Sequence, residues 1–338
     1  MRAFIINGPF DSMIGSWEKP VPGPREVLVE VGAAGICAGD LYAYTGKNPY
    51  VIYPMICGHE IAGQAVEVGN RVEELIPGTQ VVVEPFIGCG ECYPCRIGKS
   101  NCCANLRIIG AHLPGGYAEY LTAPVELIHP VPPGLSLSEA SFAEPVAIGV
   151  QACRRGGVGS ENVLVLGTGP IGLSVIEVAR ARGARVLATD IVPERLRTAA
   201  EFGADTVLAD ANLLETVLDR TDGEGFPVVI EATGSPRVME QTVDLVAAGG
   251  RIVILGLVKQ GTTVSLPALD FTRKEMTILG SRASVDCFPE ALELMAAGAI
   301  TYPRVATEFN LWDAPQVFKA MTENPGMVQK GILVRDDL

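Results

Sequence analysis

Cysteines are crowded into one short stretch of this sequence. The chain has nine cysteines in 338 residues, and four of them follow the spacing C-x2-C-x2-C-x7-C: Cys89, Cys92, Cys95 and Cys103. Two-residue spacers let successive thiolates converge on one ion, and four thiolates close a tetrahedral shell. The spacing therefore predicts a structural zinc site. Three alternatives stay open: Cys102 as the fourth ligand, an iron–sulfur cluster held by the same atoms, and a reduced loop without metal.

A second set of ligand residue types is spread over the first part of the chain. Cys37 ends an apolar run and is followed by Asp40, while His59 and Glu60 stand together in a Gly-His-Glu turn. A sulfur, an imidazole and a carboxylate would leave one coordination position for water or a substrate oxygen. Taken singly, His59 fits a structural histidine and Cys37 fits a core residue. Together they predict an open zinc site in which Asp40 orients His59.

A glycine-rich turn joins an apolar run to a helical pattern. It matches G-x-G-x-x-G and consists of Gly167, Thr168, Gly169, Pro170, Ile171 and Gly172. The glycines allow a tight turn and close approach of a pyrophosphate, which the helix N-terminus then binds. Asp190 ends the next predicted strand, where it would accept hydrogen bonds from the adenosine ribose and repel a 2′-phosphate. These residues predict NAD in preference to NADP, although Arg195 lies nearby as a cation that could favour a phosphate.

The elements that would position these residues change in character along the chain. Up to about residue 148, short β-like runs such as 26–31 and 80–84 alternate with Gly and Pro, which predicts a β-barrel or folded sheet. From about residue 160, apolar strands at 162–166, 185–189, 228–231 and 251–255 alternate with helical patterns at 171–183 and 193–202. Such alternation predicts a parallel sheet covered on both faces. Beyond about residue 283 the pattern is mixed, with a helix predicted at 289–297.

Composition and charge limit the function further. Lysine and arginine number 26 and aspartate and glutamate 39, giving a net charge of -13. A chain this acidic has no general attraction for nucleic acid or for an anionic membrane surface. No run of 18 apolar residues occurs, and the N-terminus resembles a first strand more than a signal peptide. We expect a soluble cytoplasmic protein, in which clustered cysteines bind metal more often than they form disulfides.

Taken together, the motifs resemble those of the zinc-containing medium-chain dehydrogenase/reductase family. The resemblance covers essentially the whole chain, and its marks are Gly35-Ile36-Cys37, Gly58-His59-Glu60, the four-cysteine loop, Gly115-Gly116-Tyr117-Ala118-Glu119-Tyr120, the glycine turn and Glu231-Ala232-Thr233-Gly234. Within the family, Glu144-Pro145-Val146-Ala147 is most similar to the polyol and sorbitol dehydrogenases. Leu279-Gly280-Ser281-Arg282 is also similar to the bacterial sugar-acid dehydrogenases of the L-galactonate type.

The family resemblance implies an α/β architecture. A Rossmann domain, a doubly wound parallel sheet, would occupy 149–282 and be inserted in a GroES-like β-rich catalytic domain. That catalytic domain would span 1–148, contain both zinc sites and be completed by 283–338. Homodimers or homotetramers would form through the edge of the Rossmann sheet.

The same resemblance assigns roles to particular residues. The catalytic zinc ligands would be Cys37, His59 and Glu60, with Glu144 as a carboxylate that exchanges with Glu60 or contacts zinc through water. Thr233 and Gly234 would contact the cofactor. Arg282 would bind a substrate carboxylate or the cofactor, unless it is a surface residue. Two other residues near the predicted site, Lys47 and His112, are interpreted as solvated or loop residues.

One position departs from the family pattern. Gly39 stands where the family usually has Ser or Thr, whose hydroxyl starts a proton relay, and Tyr42 stands where a relay histidine is common. Tyr42, water, a substrate hydroxyl, Glu60 or Glu144 would have to take over the proton, and Tyr42 fits a packed aromatic residue equally well.

The predicted activity is oxidation of a secondary alcohol of a polyol or sugar acid to a ketone, with zinc as Lewis acid and NAD as hydride acceptor. Two alternatives remain: an L-threonine or other small-alcohol dehydrogenase, and a non-catalytic NAD-binding redox sensor.

Overall fold

Runs of apolar and β-branched residues form the strands, as their composition favours. The computed structural model describes residues 1–48 and 51–336. In chain order its strands are β1 (Arg2–Gly8), β2 (Asp11–Ser16), β3 (Glu26–Ile36), β4 (Glu60–Val68), β5 (Gln80–Val83), β6 (Phe86–Ile87), β7 (Arg107–Ile108), β8 (Tyr120–Pro124), β9 (Ile128–Pro130), β10 (Asn162–Leu166), β11 (Arg185–Asp190), β12 (Asp205–Leu208), β13 (Phe226–Glu231), β14 (Val246–Ile254), β15 (Thr277–Gly280), β16 (Ala306–Asn310) and β17 (Lys330–Val334).

The helices are mostly short, and several begin with proline in the first turn, where a missing N–H costs nothing. In chain order they are α1 (Ala38–Tyr44), α2 (Tyr93–Arg96), α3 (Leu137–Ala140), α4 (Ala143–Gly156), α5 (Pro170–Ala181), α6 (Pro193–Glu201), α7 (Leu213–Asp219), α8 (Pro236–Leu245), α9 (Ala268–Lys274), α10 (Phe288–Ala296) and α11 (Ala314–Glu323). Within the described ranges, no helix is both long and apolar enough to cross a membrane.

The chain divides into two compact units. The first unit comprises Met1–Glu144, Phe288–Ala296 and Pro303–Leu338, and the second comprises Pro145–Cys287 and Ala297–Tyr302. The domain limits given by the sequence, 1–148, 149–282 and 283–338, stay predictions.

The second unit is built on a parallel sheet with the strand order β12-β11-β10-β13-β14-β15. Strands β10 and β13 are buried along nearly their whole length, as expected where helices cover both faces. The order reverses between β10 and β13, and in doubly wound folds the ligand crevice lies at this reversal, beyond the carboxyl ends of the strands. The predicted doubly wound parallel sheet is confirmed.

The first unit is β-rich, as predicted. Its main sheet has the order β16-β17-β3-β4-β5-β9, with β8 also paired to β3, and its neighbours are antiparallel except β16 and β17. The buried rings of Phe4, Tyr117 and Phe318 lie in its core, with the Phe318 ring centre 4.9 Å from that of Phe4 and 5.7 Å from that of Tyr117. Strand β17 places Gly331 opposite Ile36 on β3. The last strand of the chain therefore lies beside the end of β3, where Cys37 follows.

Candidate active site and metal centres

Cys37, His59 and Glu60 are brought together by two paired strands. Cys37 follows β3 and forms the N-cap of α1, while Glu60 begins β4. Strands β3 and β4 run antiparallel, with Gly35 opposite Glu60. One ligand atom from each of the three side chains lies within 4.8 Å of the others. We call these residues the three-ligand group, because they could hold one metal ion.

The Glu60 carboxylate is buried and only partly satisfied. Its Oε1 accepts a hydrogen bond from Lys330 on β17, and the Lys330 ammonium also donates to the Ile36 carbonyl at 3.0 Å. Glu60 Oε2 has no hydrogen-bond partner within the described part of the chain. A Cβ at Gly35 would lie only 2.0 Å from Oε2, so glycine is needed to leave room for this carboxylate. An unpartnered buried oxygen within the three-ligand group fits a bound cation.

Lys330 keeps its positive charge in this buried position. Burial acts to lower the pKa of Lys330, but the nearby Glu60 carboxylate and Cys37 outweigh it, and the net shift of the pKa is upward. The ion pair is 4% exposed on the lysine side and 2% on the glutamate side, so it is screened little by water.

The carboxylate of Asp40 lies beside the imidazole of His59. Its Oδ1 lies 3.6 Å from His59 Nδ1. The same carboxylate accepts hydrogen bonds from the Cys37 amide at 2.8 Å, the Tyr117 hydroxyl at 2.8 Å and the Gly58 amide at 3.3 Å. These contacts fix the position of the carboxylate beside the imidazole.

The charges of the Asp40–His59 pair reinforce each other. Burial acts to raise the pKa of Asp40, but His59 and the hydrogen bonds that Asp40 accepts outweigh it, and the net shift of the pKa is downward. Burial acts to lower the pKa of His59, but Asp40 and Cys37 raise it well above its ordinary value. No role is predicted for Tyr117 from the sequence, in which its glycine-flanked motif is only a mark of the family.

Glu144 lies at the start of α4 and is buried. Burial, together with Glu60 and Asp40, raises the pKa of Glu144 to about 7, against the opposing effect of His59 and Lys330. Its carboxylate does not belong to the three-ligand group, as far as the described residues go. Of the two carboxylates that the sequence left unranked, Glu60 is the one that lies in the three-ligand group.

Gly39, which replaces the Ser or Thr usual in the family, leaves open space beside the sulfur of Cys37. Among the described residues, a Cβ built on Gly39 would meet only Cys37 Sγ, at 4.0 Å. Tyr42, on the same helix α1, is 53% exposed, which does not favour the alternative of a packed aromatic residue.

Cys89, Cys92, Cys95 and Cys103 also converge, and we call them the four-thiolate group. One sulfur from each lies within 4.8 Å of the others. The Cys92 sulfur is 3.4 Å from that of Cys95 and 3.7 Å from that of Cys103. The thiol of Cys102 is exposed and lies outside this group.

Backbone amides prepare the four-thiolate group for negative charge. The amides of Cys89 and Asn105 each donate to Cys103 Sγ at 3.3 Å. Amides of Cys95 and Ala104 lower the pKa of Cys92 to about 6, whereas burial and the neighbouring Cys92 raise the pKa of Cys95 to about 12. Four sulfurs this close fit a cation, because a metal stabilises all of them as thiolates.

The glycine turn has the shape that a dinucleotide requires. Gly167 has a φ of +95°, and a Cβ on Gly172 would lie 2.0 Å from the Gly167 carbonyl oxygen. A Cβ on Gly169 would meet no atom within 4 Å, so the turn is open on that side. Pro170 and Ile171 form the first turn of α5. The turn could therefore admit a pyrophosphate to the helix N-terminus.

Asp190 lies at the end of β11 and faces this turn. Its Oδ2 accepts hydrogen bonds from the Thr168 amide at 2.9 Å and from the Thr168 hydroxyl at 3.2 Å. Its Oδ1 accepts one from the Val192 amide at 3.0 Å, and Arg195 Nη1 lies 3.8 Å from Oδ2.

A second turn, at Thr233 and Gly234, lies against the first. The fully buried Glu231 ends β13, and its carboxylate accepts hydrogen bonds from the Thr233 amide at 2.7 Å, the Gly234 amide at 3.0 Å and the Thr233 hydroxyl. A Cβ on Gly167 would lie 2.7 Å from Thr233 Cγ2. In the sequence, Glu231 stands out only as part of a motif, and its part in shaping this turn is not predictable from that motif.

Three further residues lie outside these groups. Arg282 is exposed just after β15, and Lys47 is exposed after α1. The Nδ1 of His112 accepts a hydrogen bond from the Ile108 amide at 3.0 Å, which fits a loop residue.

Comparison with known proteins adds to this geometry. Residues 170–297 match the family model described as zinc-binding dehydrogenase, and residues 23–133 match the alcohol dehydrogenase GroES-like domain. L-galactonate-5-dehydrogenase of Escherichia coli is 37% identical over 311 residues, which are 91% of each chain. L-threonine 3-dehydrogenase of Pyrococcus horikoshii is 37% identical over 269 residues, 78% of this chain and 77% of the relative.

A solved structure resembles the whole chain. It is a crystal structure of an Escherichia coli protein described as a short chain alcohol dehydrogenase, complexed with the cofactor NADH. It has a TM-score of 0.92 and 30% identity, and the match covers 99% of both chains.

Proposed function

Because the chain belongs to the zinc-binding dehydrogenase family, we propose that it oxidises a secondary alcohol of a sugar acid or polyol to a ketone, with NAD as the hydride acceptor. The observation that carries this proposal is the three-ligand group of Cys37, His59 and Glu60, with a buried carboxylate oxygen that has no partner among the described residues.

The donor set of the three-ligand group fits zinc. Thiolate, imidazole and carboxylate are all common zinc ligands, and three protein ligands leave a position for substrate oxygen. When bound, zinc supplies a Lewis acid that lowers the pKa of an alcohol, and the nicotinamide supplies the hydride acceptor.

The surrounding residues prepare the ligands. We assign Glu60 as the third ligand in preference to Glu144, because Lys330 binds Glu60 Oε1 and leaves Oε2 free within the group. Asp40 holds His59 in one orientation, as an outer-shell carboxylate does for a metal-binding histidine.

The proton of the substrate hydroxyl needs an acceptor other than the usual one. Gly39 has no side chain to start a relay. We assign the proton to the carboxylate of Glu144, which is buried and senses the charges of His59, Glu60 and Lys330. The half-exposed phenol of Tyr42 is the alternative, and comparing Glu144→Gln with Tyr42→Phe distinguishes them.

The four-thiolate group has a different proposed role. Four sulfur ligands would close the coordination shell, which is typical of structural zinc. We assign it to holding the loop from Cys89 to Cys103 in shape, with no part in the chemistry.

NAD is the proposed cofactor because the glycine turn ends near a carboxylate. Asp190 can accept hydrogen bonds from ribose hydroxyls and repels a 2′-phosphate. The structural relative in complex with NADH supports this assignment. Arg282, exposed after β15, is proposed to bind a substrate carboxylate.

The L-galactonate-5-dehydrogenase relative supports a sugar acid as substrate. A second candidate substrate is L-threonine. The L-threonine 3-dehydrogenase relative has the same sequence identity, 37%, as the L-galactonate-5-dehydrogenase relative, but over a smaller share of this chain.

We propose that the chain forms a homo-oligomer through the edge of the sheet in the second unit. Strand β15 is the last in its sheet, and α9 has no buried residue among those the structure describes. Sedimentation of the purified protein tests this assembly.

The first experiment is NADH formation with NAD and a panel of aldonic acids, polyols and L-threonine, each with and without a zinc chelator. We expect turnover of an aldonic acid or polyol that the chelator abolishes and added zinc restores. His59→Ala serves as the inactive control. Turnover of L-threonine alone would show that the substrate is an amino acid and not a sugar acid or polyol. Absence of turnover across the panel, in protein that binds both zinc and NADH, would overturn the proposal and favour the redox-sensor alternative.

A further inference from the structure

We propose that Thr168 is a positioning residue for cofactor specificity: its hydroxyl holds Asp190 in the orientation that binds the adenosine ribose and rejects a 2′-phosphate. This inference rests on the proposed use of NAD. It concerns a residue at a position that the G-x-G-x-x-G pattern leaves free.

Thr168 contacts Asp190 through two donors. Its amide and its hydroxyl both donate to Asp190 Oδ2, at 2.9 and 3.2 Å. Any residue except proline would supply the amide, but only serine or threonine would supply a hydroxyl on so short a side chain. Thr168 is 1% exposed, so water cannot easily replace the hydroxyl. The sequence-specific part of the contact is therefore this one hydroxyl.

Asp190 is held differently at its two oxygens. Oδ2 receives both bonds from Thr168 and faces the exposed Arg195, while Oδ1 receives one bond from the Val192 amide. A carboxylate offers about four acceptor sites. With Oδ2 occupied by Thr168, Oδ1 keeps a site for a ribose hydroxyl.

Arg195 gives the orientation its importance for specificity. Its guanidinium lies 3.8 Å from Asp190 Oδ2, and the arginine side chain is 54% exposed. Without the Thr168 hydroxyl, Asp190 Oδ2 is held by one donor fewer, and the carboxylate can move closer to this cation. It would then bind the ribose less well and repel a 2′-phosphate less, and the arginine would be a binding partner for that phosphate.

The test is a fluorescence titration of the full chain with NADH and with NADPH. Thr168→Val removes the hydroxyl and keeps the branched shape. We expect about tenfold weaker NADH binding, from the loss of a hydrogen bond to a charged group. NADPH binding stays the same or tightens, so the preference for NADH falls by about the same factor. Thr168→Ser restores the preference.

Two controls separate positioning from general damage. Thr242→Val removes another buried hydroxyl of the second unit, which bonds the Met239 carbonyl at 2.6 Å, and leaves the preference unchanged. In an Asp190→Ala background, Thr168→Val no longer changes the preference, because it acts through Asp190.

Equal weakening of NADH and NADPH binding would overturn the inference, since it would indicate a distorted glycine turn. An unchanged preference in Thr168→Val, or in Thr168→Ala if the valine variant does not fold, would also overturn it. If the unmodified protein binds neither nucleotide, the proposed use of NAD fails as well, and this outcome is distinguishable from the other two.

Discussion

The two metal-capable groups of the first unit are built in opposite ways. The four-thiolate group comes from one stretch of chain, Cys89 to Cys103, and its visible support is backbone amides that donate to sulfur. The three-ligand group joins residues at the end of β3 and the start of β4, and the buried charged side chains of Asp40 and Lys330 lie beside it.

This difference fits the different tasks that we propose for the two groups. A closed shell of like ligands needs only a loop of suitable spacing, because its task is to hold that loop. An open shell must keep its ligands in place while one position exchanges, and charged neighbours do this. The expected effects of substitution differ accordingly.

The largest effect is expected at His59. His59→Ala should reduce turnover by at least about a thousandfold, because a Lewis acid contributes several kcal/mol to alcohol activation. The four-thiolate group should keep its zinc. Metal analysis and kinetics on the same sample check this. Retained turnover would show that the three-ligand group is not the catalytic centre.

A large loss of stability is expected for Lys330→Met. In the zinc-free protein, the change leaves the Glu60 carboxylate buried without its ion-pair partner, and removal of one partner of a buried pair costs about 3–5 kcal/mol of unfolding free energy. Urea denaturation measures it. Lys330→Arg is the matched control, and adding Glu60→Gln to Lys330→Met should recover part of the loss. A loss of unfolding free energy below about 1 kcal/mol would contradict this prediction, because it is the contribution typical of exposed surface ion pairs.

An intermediate effect is expected for Asp40→Asn. The variant keeps the size of the side chain but weakens the orientation of His59, so zinc affinity at the three-ligand group should fall about 10–100-fold. Competition with a coloured chelator measures this affinity. Zinc at the four-thiolate group should be unaffected, and equal loss at both groups would contradict the assigned contact.

The smallest effect is expected at Cys102. Cys102→Ser should change the unfolding free energy by less than about 0.5 kcal/mol, as is usual for an exposed side chain without a special role. Its neighbour provides the contrast: Cys103→Ser should lose one zinc per chain and make the loop sensitive to limited proteolysis. If Cys102→Ser loses zinc instead, Cys102 is the fourth ligand.

Much of the fold could be predicted from local pattern. Alternating apolar runs and helical periods predicted the parallel sheet, and the helix predicted at 171–183 is α5, Pro170–Ala181. The strand predicted at 251–255 begins earlier, at Val246, because Val246 also pairs with Phe226 on β13. The register shifts before Arg251, where Gly249 and Gly250 stand, and glycine is disfavoured in strands by local propensity.

The supports of the candidate site could not be predicted in the same way. Ligand types and spacing indicated Cys37, His59 and Glu60 because metal chemistry restricts them to few residue types. Nothing local marks Lys330 as the partner of Glu60, since the contact arises only when β17 pairs with β3. The assignment of Glu60 rather than Glu144 as the proposed third ligand rests on the same long-range contact.

The Lys330–Glu60 contact also has a consequence for the timing of metal uptake during synthesis. The two residues are 270 positions apart in the chain, whereas Cys89 and Cys103 are 14 apart. A ribosome exposes the cysteine loop long before it makes β17, and short loops close at lower entropic cost than long ones. The four-thiolate group is thus expected to take up its ion on the growing chain, and the three-ligand group only after the last strand has joined the sheet.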